Sequence, residues 1–172
     1  ELSGTFGSMA CVGCGSGNIS ATPGIPCTEC SAGKYTKDDN TACLGCPAGK
    51  WNSERGATSE IQCKTCDIGT YSSASGANAI DTCIKCQPGK IGTKKGATSA
   101  KETCQECLVG RYRSGKEQQA TTCLECPPGR TSGNSSVACS ECASGKIENK
   151  VTKGCDKCVE GEYRGGTDAA TT

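Results

Sequence analysis

The sequence predicts a small disulfide-rich fold: an elongated tandem array of irregular β-hairpin repeats with little or no helix. Three observations lead to this prediction. All 18 cysteines lie in Cys-x-x-Cys pairs, and the nine pairs recur every 16 to 21 residues. A glycine follows every pair at a fixed distance, and large apolar side chains are scarce. Such a short period indicates units that cannot bury a core alone and must be held by their neighbours or by cross-links.

The composition explains why cross-links are needed. Leu, Ile, Val and Phe together supply 18 of 172 residues, as many as cysteine alone. This is about half the content below which chains tend towards disorder. Cysteine at this density is typical of small modules made in an oxidising compartment. We therefore expect a secreted protein, located outside the cell or at the cell surface.

Charge and residue inventory exclude several functions. The 19 basic and 18 acidic residues alternate without forming a block, so a nucleic-acid partner is not expected. No apolar run reaches membrane-spanning length. The chain has no His, which removes the Ser-His and Cys-His nucleophile systems. We expect no enzyme activity and no cofactor.

When the repeats are aligned on the second cysteine of each pair, two columns of the alignment indicate the local structure of the repeat. The third residue after each pair is always glycine, which predicts a tight turn or a close approach that a Cβ would forbid. Two positions later lies a column that contains every Tyr and Trp, which predicts an extended segment and a miniature core against the disulfide. The glycines are Gly17, Gly33, Gly49, Gly69, Gly89, Gly110, Gly129, Gly145 and Gly161. The second column is Ile19, Tyr35, Trp51, Tyr71, Ile91, Tyr112, Thr131, Ile147 and Tyr163.

The rest of each unit is expected to be loop, so the sequence predicts that each unit is an irregular hairpin without a helix. Between successive pairs lie 12 to 17 residues, and four of these loops are longer than the others. The longer loops carry an extra turn, as in Gly56-Ala57-Thr58-Ser59, Gly76-Ala77 and Gly96-Ala97-Thr98-Ser99.

The pattern Cys-x-x-Cys-x-x-Gly-x-Tyr, loop, Gly-Ala-Thr-Ser, Cys-x-x-Cys resembles tandem ephrin-receptor-like cysteine-rich repeats. Cys46 to Cys63 carry it most clearly, with Trp51 in place of Tyr. The pattern is also similar to the smallest module of tumour-necrosis-factor-receptor ectodomains. This resemblance covers nearly the whole chain and implies an extracellular hairpin array. It implies little about activity, since such arrays occur in receptors, surface coats and secreted structural proteins.

One uniform pairing of cysteines suits a uniform repeat: the second cysteine of each pair joins the first of the next, as similar receptor modules close their hairpins. The predicted disulfides are Cys14-Cys27, Cys30-Cys43, Cys46-Cys63, Cys66-Cys83, Cys86-Cys104, Cys107-Cys123, Cys126-Cys139 and Cys142-Cys155. A rival pairing joins pairs two at a time, first to first and second to second. Four-cysteine zinc sites would also use the pairs two at a time.

The pairing leaves Cys11 and Cys158 with expected partners outside the chain, and the partner of Cys11 is not identified. Residues 161–172 repeat the pattern of residues 110–122, which precedes Cys123, so a further cysteine is expected directly after Thr172. We therefore divide the chain into a partial repeat at 1–10, eight disulfide-closed repeats at 11–158, and a partial repeat at 159–172 that continues beyond the chain.

Two features are candidates for surface function. A basic residue follows the fixed glycine in six repeats and would form a line of charge suited to an acidic glycan. These residues are Lys34, Lys50, Lys90, Arg111, Arg130 and Lys146. The sequons at Asn18 and Asn134 are candidate glycosylation sites in exposed hairpins.

The function predicted from these features is an extracellular structural or adhesive rod, part of a long repeat protein that forms a surface fibre or matrix. Its partners would be other copies of itself or matrix proteins. A ligand-binding receptor ectodomain and a tandem zinc scaffold are the alternatives.

Overall fold

A computed structural model describes residues 13–20, 22, 24–116 and 121–162. It contains eight two-stranded antiparallel sheets, and each sheet is a hairpin of one repeat. In chain order, hairpins 1 to 8 pair Asn18–Ile19 with Thr28–Glu29, Lys34–Thr36 with Cys43–Gly45, Lys50–Trp51 with Lys64–Thr65, Thr70–Tyr71 with Ile84–Lys85, Lys90–Gly92 with Cys104–Glu106, Arg111–Tyr112 with Leu124–Glu125, Arg130–Thr131 with Ser140–Glu141, and Lys146–Glu148 with Cys155–Lys157. The predicted tandem hairpin fold is therefore confirmed.

Each hairpin is closed by one disulfide from the second cysteine of one pair to the first cysteine of the next. The Cα atoms of the joined cysteines lie 5.5 to 5.8 Å apart, the ordinary range for a cystine. The disulfides are Cys14–Cys27, Cys30–Cys43, Cys46–Cys63, Cys66–Cys83, Cys86–Cys104, Cys107–Cys123, Cys126–Cys139 and Cys142–Cys155. Cys158 forms no disulfide with a described residue. Cys11, residues 1–10 and residues 163–172 lie outside the described residues.

A main-chain hydrogen bond closes each turn in addition to the disulfide. The amide of the second cysteine in the closing pair donates to the carbonyl of the fixed glycine, as from Cys46 to Gly33 and from Cys66 to Gly49, both at 2.8 Å. This bond ties the end of one repeat to the start of its own hairpin. The disulfide and this hydrogen bond therefore constrain the same few residues of each repeat.

Three of the longer loops contain a short helical turn, which the sequence reading of a helix-free unit did not include. The turns are Glu60–Gln62, Ile80–Thr82 and the four-residue α-helix Ala100–Thr103. Before the first of them, Ser59 caps the amide of Ile61 and Gln62 reaches back to the amide of Ser59. This is the reciprocal capping that Ser-x-x-Gln favours at a helix start.

Among the described residues, the buried positions recur along the repeats and form no single central core. They are the fixed glycine and the second cysteine of most repeats, the first cysteine Cys63, the alanines of the Gly-Ala motifs, and a polar residue in most repeats. The aromatic column was expected to form the miniature core, and this expectation was wrong. Tyr35, Trp51, Tyr71 and Tyr112 are only half-buried. The next residue along the strand points to the opposite face, and that residue is buried.

Candidate functional site: the junctions between repeats

Main-chain hydrogen bonds join hairpins 2 to 7 to their neighbours, whereas the amides of Gly17 and Gly129 donate to the side chains of Thr36 and Glu148. Between hairpins 2 and 3, the amide of Gly33 donates to the carbonyl of Asn52 at 2.7 Å, and the amide of Thr36 donates to the carbonyl of Ala57 at 2.9 Å. In return, the amide of Gly56 donates to the carbonyl of Cys30 at 2.8 Å. These three bonds satisfy polar backbone that would otherwise be buried without partners.

The same junction is repeated along the chain. Parallel bridges join Tyr35 to Ala57, Trp51 to Ala77 and Tyr71 to Ala97. The Gly-Ala motif of a longer loop is thus the segment that pairs with the preceding repeat. Its alanine is at most 5% exposed in all three cases, so a larger side chain would not fit there.

The fixed glycine also contacts the repeat two positions further on. A Cβ built on Gly33 would lie 2.2 Å from the carbonyl oxygen of Gly76, and one built on Gly49 would lie 2.3 Å from that of Gly96. Both glycines have positive φ, 81° and 78°. The two reasons considered from the sequence, backbone angle and close approach, therefore both apply at these positions.

Three short loops place other residues where the longer loops use glycine. Asn40, Ser135 and Lys153 have φ between 53° and 59°. The amide of Ser135 donates to the carbonyl of Cys107 at 2.8 Å, as that of Gly56 does to Cys30. The junction thus tolerates loops of different length, because the loop tip keeps its left-handed backbone even without glycine.

The residue three positions after the fixed glycine is the functional position that the sequence reading missed. In five repeats it is a buried polar residue, at most 6% exposed: Thr36, Asn52, Ser72, Arg113 and Ser132. In three of them the side chain bonds to backbone of the preceding repeat, as the hydroxyl of Ser132 donates to the carbonyl of Arg111 at 2.7 Å. The side chains of Asn52 and Ser72 instead accept from amides of their own repeats. The recurrence of small polar residues directly after the aromatic column was the signal for this position.

Arg113 has the largest fully buried side chain among the described residues, with 1% exposure. Its Nη1 donates to the carbonyls of Cys86, Gln87 and Lys90 at 3.2, 3.0 and 2.9 Å. These three carbonyls belong to the turn of hairpin 5. Hairpin 6 has no Gly-Ala motif, so a guanidinium anchors it to the preceding turn.

Arg113→Ala is expected to loosen this one junction. Removing the guanidinium leaves three buried carbonyls without their charged donor, which should cost about 2–3 kcal/mol. Hydrogen exchange should then rise at the amides of hairpins 5 and 6. Arg111→Ala is the matched control: Arg111 forms an exposed ion pair with Glu125, and its loss should cost at most about 1 kcal/mol. Equal effects of the two substitutions would contradict the anchoring role.

An open groove of about 860 Å³ lies between hairpins 3 and 4. Trp51 forms one wall, with the ammonium group of Lys64 5.3 Å from the centre of its ring. Ile80 and Ile84 line the other wall and are 56% and 55% exposed. A second groove, beside Tyr71, uses the equivalent positions of the next repeat, but Ala100 and Gln105 replace the two isoleucines. The first groove is therefore the more apolar of the two.

The six basic residues of the candidate glycan site are mostly neutralised. Lys50 pairs with Glu60, Lys90 with Glu106, Arg111 with Glu125 and Arg130 with Glu141, at N–O distances of 2.7 to 3.7 Å. Lys34 lies opposite Gly45 across its hairpin, and Lys146 lies opposite Lys157. At least four of the six charges thus have a carboxylate partner, which weakens the line of positive charge that the sequence suggested.

Two loop carboxylates have pKa values of about 2. Hydrogen bonds from the Thr41 hydroxyl and amide, and from Lys37, lower the pKa of Asp39. Those from Lys94, and from the amide and hydroxyl of Thr98, lower the pKa of Glu102. A lowered pKa means that these loop bonds hold above the ordinary carboxyl pKa and weaken as the pH falls towards 2.

The two sequons have different surroundings. Asn134 is exposed in the loop of hairpin 7, directly before Ser135. Asn18 is half-buried in the first strand of hairpin 1, and its Nδ2 donates to the carbonyl of Ser16 at 3.4 Å. Asn134 is thus the more accessible acceptor.

The cysteines are not arranged for zinc. Sixteen of them are joined as eight disulfides, and a disulfide sulfur offers no thiolate to a metal. Within the described ranges no group of three or more His, Cys, Asp or Glu residues is placed to hold a metal ion. In the same ranges no helix has the length and apolar character needed to cross a bilayer.

Comparison with known proteins agrees with this architecture. Residues 17–63 match a family model described as tyrosine-protein kinase ephrin type A/B receptor-like. None of the curated proteins compared with the chain matches it. The match spans hairpins 1 and 2 and the first strand and loop of hairpin 3. Together with the eight disulfides it confirms the cysteine-rich repeat identified from the sequence. Family and disulfide content indicate an extracellular cysteine-rich module.

Proposed function

We propose that the chain is a structural or adhesive rod of an extracellular fibre or matrix, without catalytic activity. The observation that carries the proposal is the junction. Hairpins 2 to 7 bond through their main chains to their neighbours, and several fixed glycines also approach the repeat after the next, as Gly33 does with Asn52 and Gly76. Stacking of this kind gives a quasi-one-dimensional array whose stability is a sum over neighbours.

The surface of the array supports association with other copies of the chain or with matrix proteins. Formal net charge is only +1, and exposed ion pairs such as Arg111–Glu125 balance charge locally. Little electrostatic repulsion would therefore separate parallel rods. Near-identical faces repeated along a rod favour contacts that do not close, which extend into filaments.

Electron microscopy of the purified oxidised chain, alone and at rising concentration, tests the proposal. We expect narrow rods of uniform width that associate laterally or end to end. Compact particles, or rods that stay separate at millimolar concentration and alongside matrix proteins, would argue against a fibre.

Ligand binding, as in a receptor ectodomain, is a second candidate because of the groove between hairpins 3 and 4. An aromatic wall and two half-exposed isoleucines are the kind of anchor surface that binding sites use. Ile84→Lys should abolish capture of a ligand that uses this groove, whereas Gln105→Lys, at the equivalent position of the next groove, should not. Binding that survives Ile84→Lys would reject this candidate.

Two surface proposals accompany the rod. Acidic glycans would contact the basic column, but weakly, since at least four of its six charges are paired. Retention on heparin should therefore end at low salt. Asn134 is the glycosylation acceptor that we propose, with Asn18 disfavoured by its half-buried place in a strand. The mass of Asn134→Gln after secretion from a eukaryotic cell, compared with that of Asn18→Gln, tests this assignment.

A further inference from the structure

The disulfides create a covalent path that is much shorter than the chain. Along this path, Cys14 leads through its disulfide to Cys27, three residue steps lead to Cys30, and the next disulfide leads to Cys43. The same alternation continues to Cys155. Every hairpin loop is a side branch of this path, because the disulfide bridges its two ends.

The length of this path follows from bond geometry. Each disulfide spans 5.5 to 5.8 Å between Cα atoms, and three residue steps extend to about 10 Å. From Cys14 to Cys155 the path can therefore reach about 120 Å, whereas the same stretch of chain without disulfides could reach about 480 Å. The disulfides thus prevent about three quarters of the chain's full length from being extended.

We propose that the array is a force-bearing tether whose extension is limited by its disulfides. Under tension the load passes through the cystines and the Cys-x-x-Cys segments, and the loops carry none of it. Pulling first separates the stacked repeats, whose junctions are only hydrogen bonds and close packing. Extension then stops when the covalent path is fully extended. This proposal rests on the structural role above and states what that role would require of each repeat.

Reduction would release the locked length in defined steps. Each disulfide that opens takes two electrons and two protons from a dithiol such as dithiothreitol, which leaves as its cyclic disulfide. Four disulfides span 13 residues and four span 16 to 18. The first group should release about 40 Å per opening and the second about 50–55 Å.

Single-molecule force spectroscopy on the full chain, held at both ends, tests the proposal. Without reductant we expect no extension beyond the covalent path and the terminal segments outside Cys14 and Cys155 at forces that unfold ordinary domains. With dithiothreitol we expect up to eight steps in the two size classes. Steps of other sizes, or long extensions without reductant, would overturn the proposal. Fibre formation plays no part in this measurement, so its failure is distinguishable from failure of the structural role.

Two insertion variants sharpen the test. Six Gly/Ser residues inserted after Ser53 lie in the bridged loop between Cys46 and Cys63, so the oxidised length should not change. The same six residues inserted after Lys64 lie on the load path and should add about 20 Å. Disulfide mapping by mass spectrometry verifies that both variants keep the native pairing. Equal lengthening by both insertions would show that the loops bear load.

Discussion

Reduction of the disulfides is expected to abolish the folded array. The described buried residues are cystines, alanines and small polar groups together with Arg113, so little apolar surface would remain to hold the chain once the cross-links open. Each loop closure contributes about 3 kcal/mol in the chain-entropy model. Circular dichroism and hydrogen exchange before and after dithiothreitol should show complete loss of structure, in contrast to a domain held by an apolar core.

A single disulfide can be tested against a matched one. Cys46→Ser with Cys63→Ser removes a bridge whose two cysteines are both buried. Cys14→Ser with Cys27→Ser removes a bridge whose second cysteine is exposed. Both variants lose loop-closure entropy, but only the first also empties a packed site, so its melting temperature should fall further. An array that melts at the same temperature oxidised and reduced would contradict the cross-link account altogether.

The sequence was sufficient to predict the repeat, the hairpin and the need for glycine. These features follow from a period that recurs nine times, and from a position where only one residue type occurs. Which of the two strand faces is buried was not predictable from composition, because large aromatic residues are ordinarily the best candidates for a core. Here Trp51 is only partly buried and its neighbour Asn52 is fully buried, since that face of the strand covers the polar backbone of the preceding turn, where the carbonyl of Asn52 accepts from the amide of Gly33.

The contact between repeats two positions apart was likewise beyond the sequence. Gly33 and Gly76 are 43 residues apart, and no local pattern relates them. Lys50 shows the same limit on the surface: its column suggested a line of free charge, but folding places Glu60 2.7 Å away. Such pairs form between residues that only the folded chain brings together, and the sequence alone does not show which residue will be the partner.

Gly33→Ala is expected to be among the most damaging substitutions outside the cysteines. The new methyl group would meet the carbonyl oxygen of Gly76 at 2.2 Å and its carbonyl carbon at 2.8 Å. Both atoms belong to main chain, which cannot rotate away as a side chain would. The left-handed backbone at Gly33 adds about 1–2 kcal/mol of strain for any residue with a Cβ, and the clash should add about 1–3 kcal/mol more.

Gly145→Ala separates these two costs. Gly145 has the same left-handed backbone, with φ of 71°, but no heavy atom of the described residues lies within 4 Å of a Cβ built there. It should therefore show the strain alone, and the difference in unfolding free energy between the two variants measures the contact between alternate repeats. Hydrogen exchange should also rise at the amide of Gly76 in Gly33→Ala and stay unchanged there in Gly145→Ala. If both variants lose the same stability, the fixed glycine serves its own turn only, and the array is held by contacts between adjacent repeats without the second-neighbour interlock.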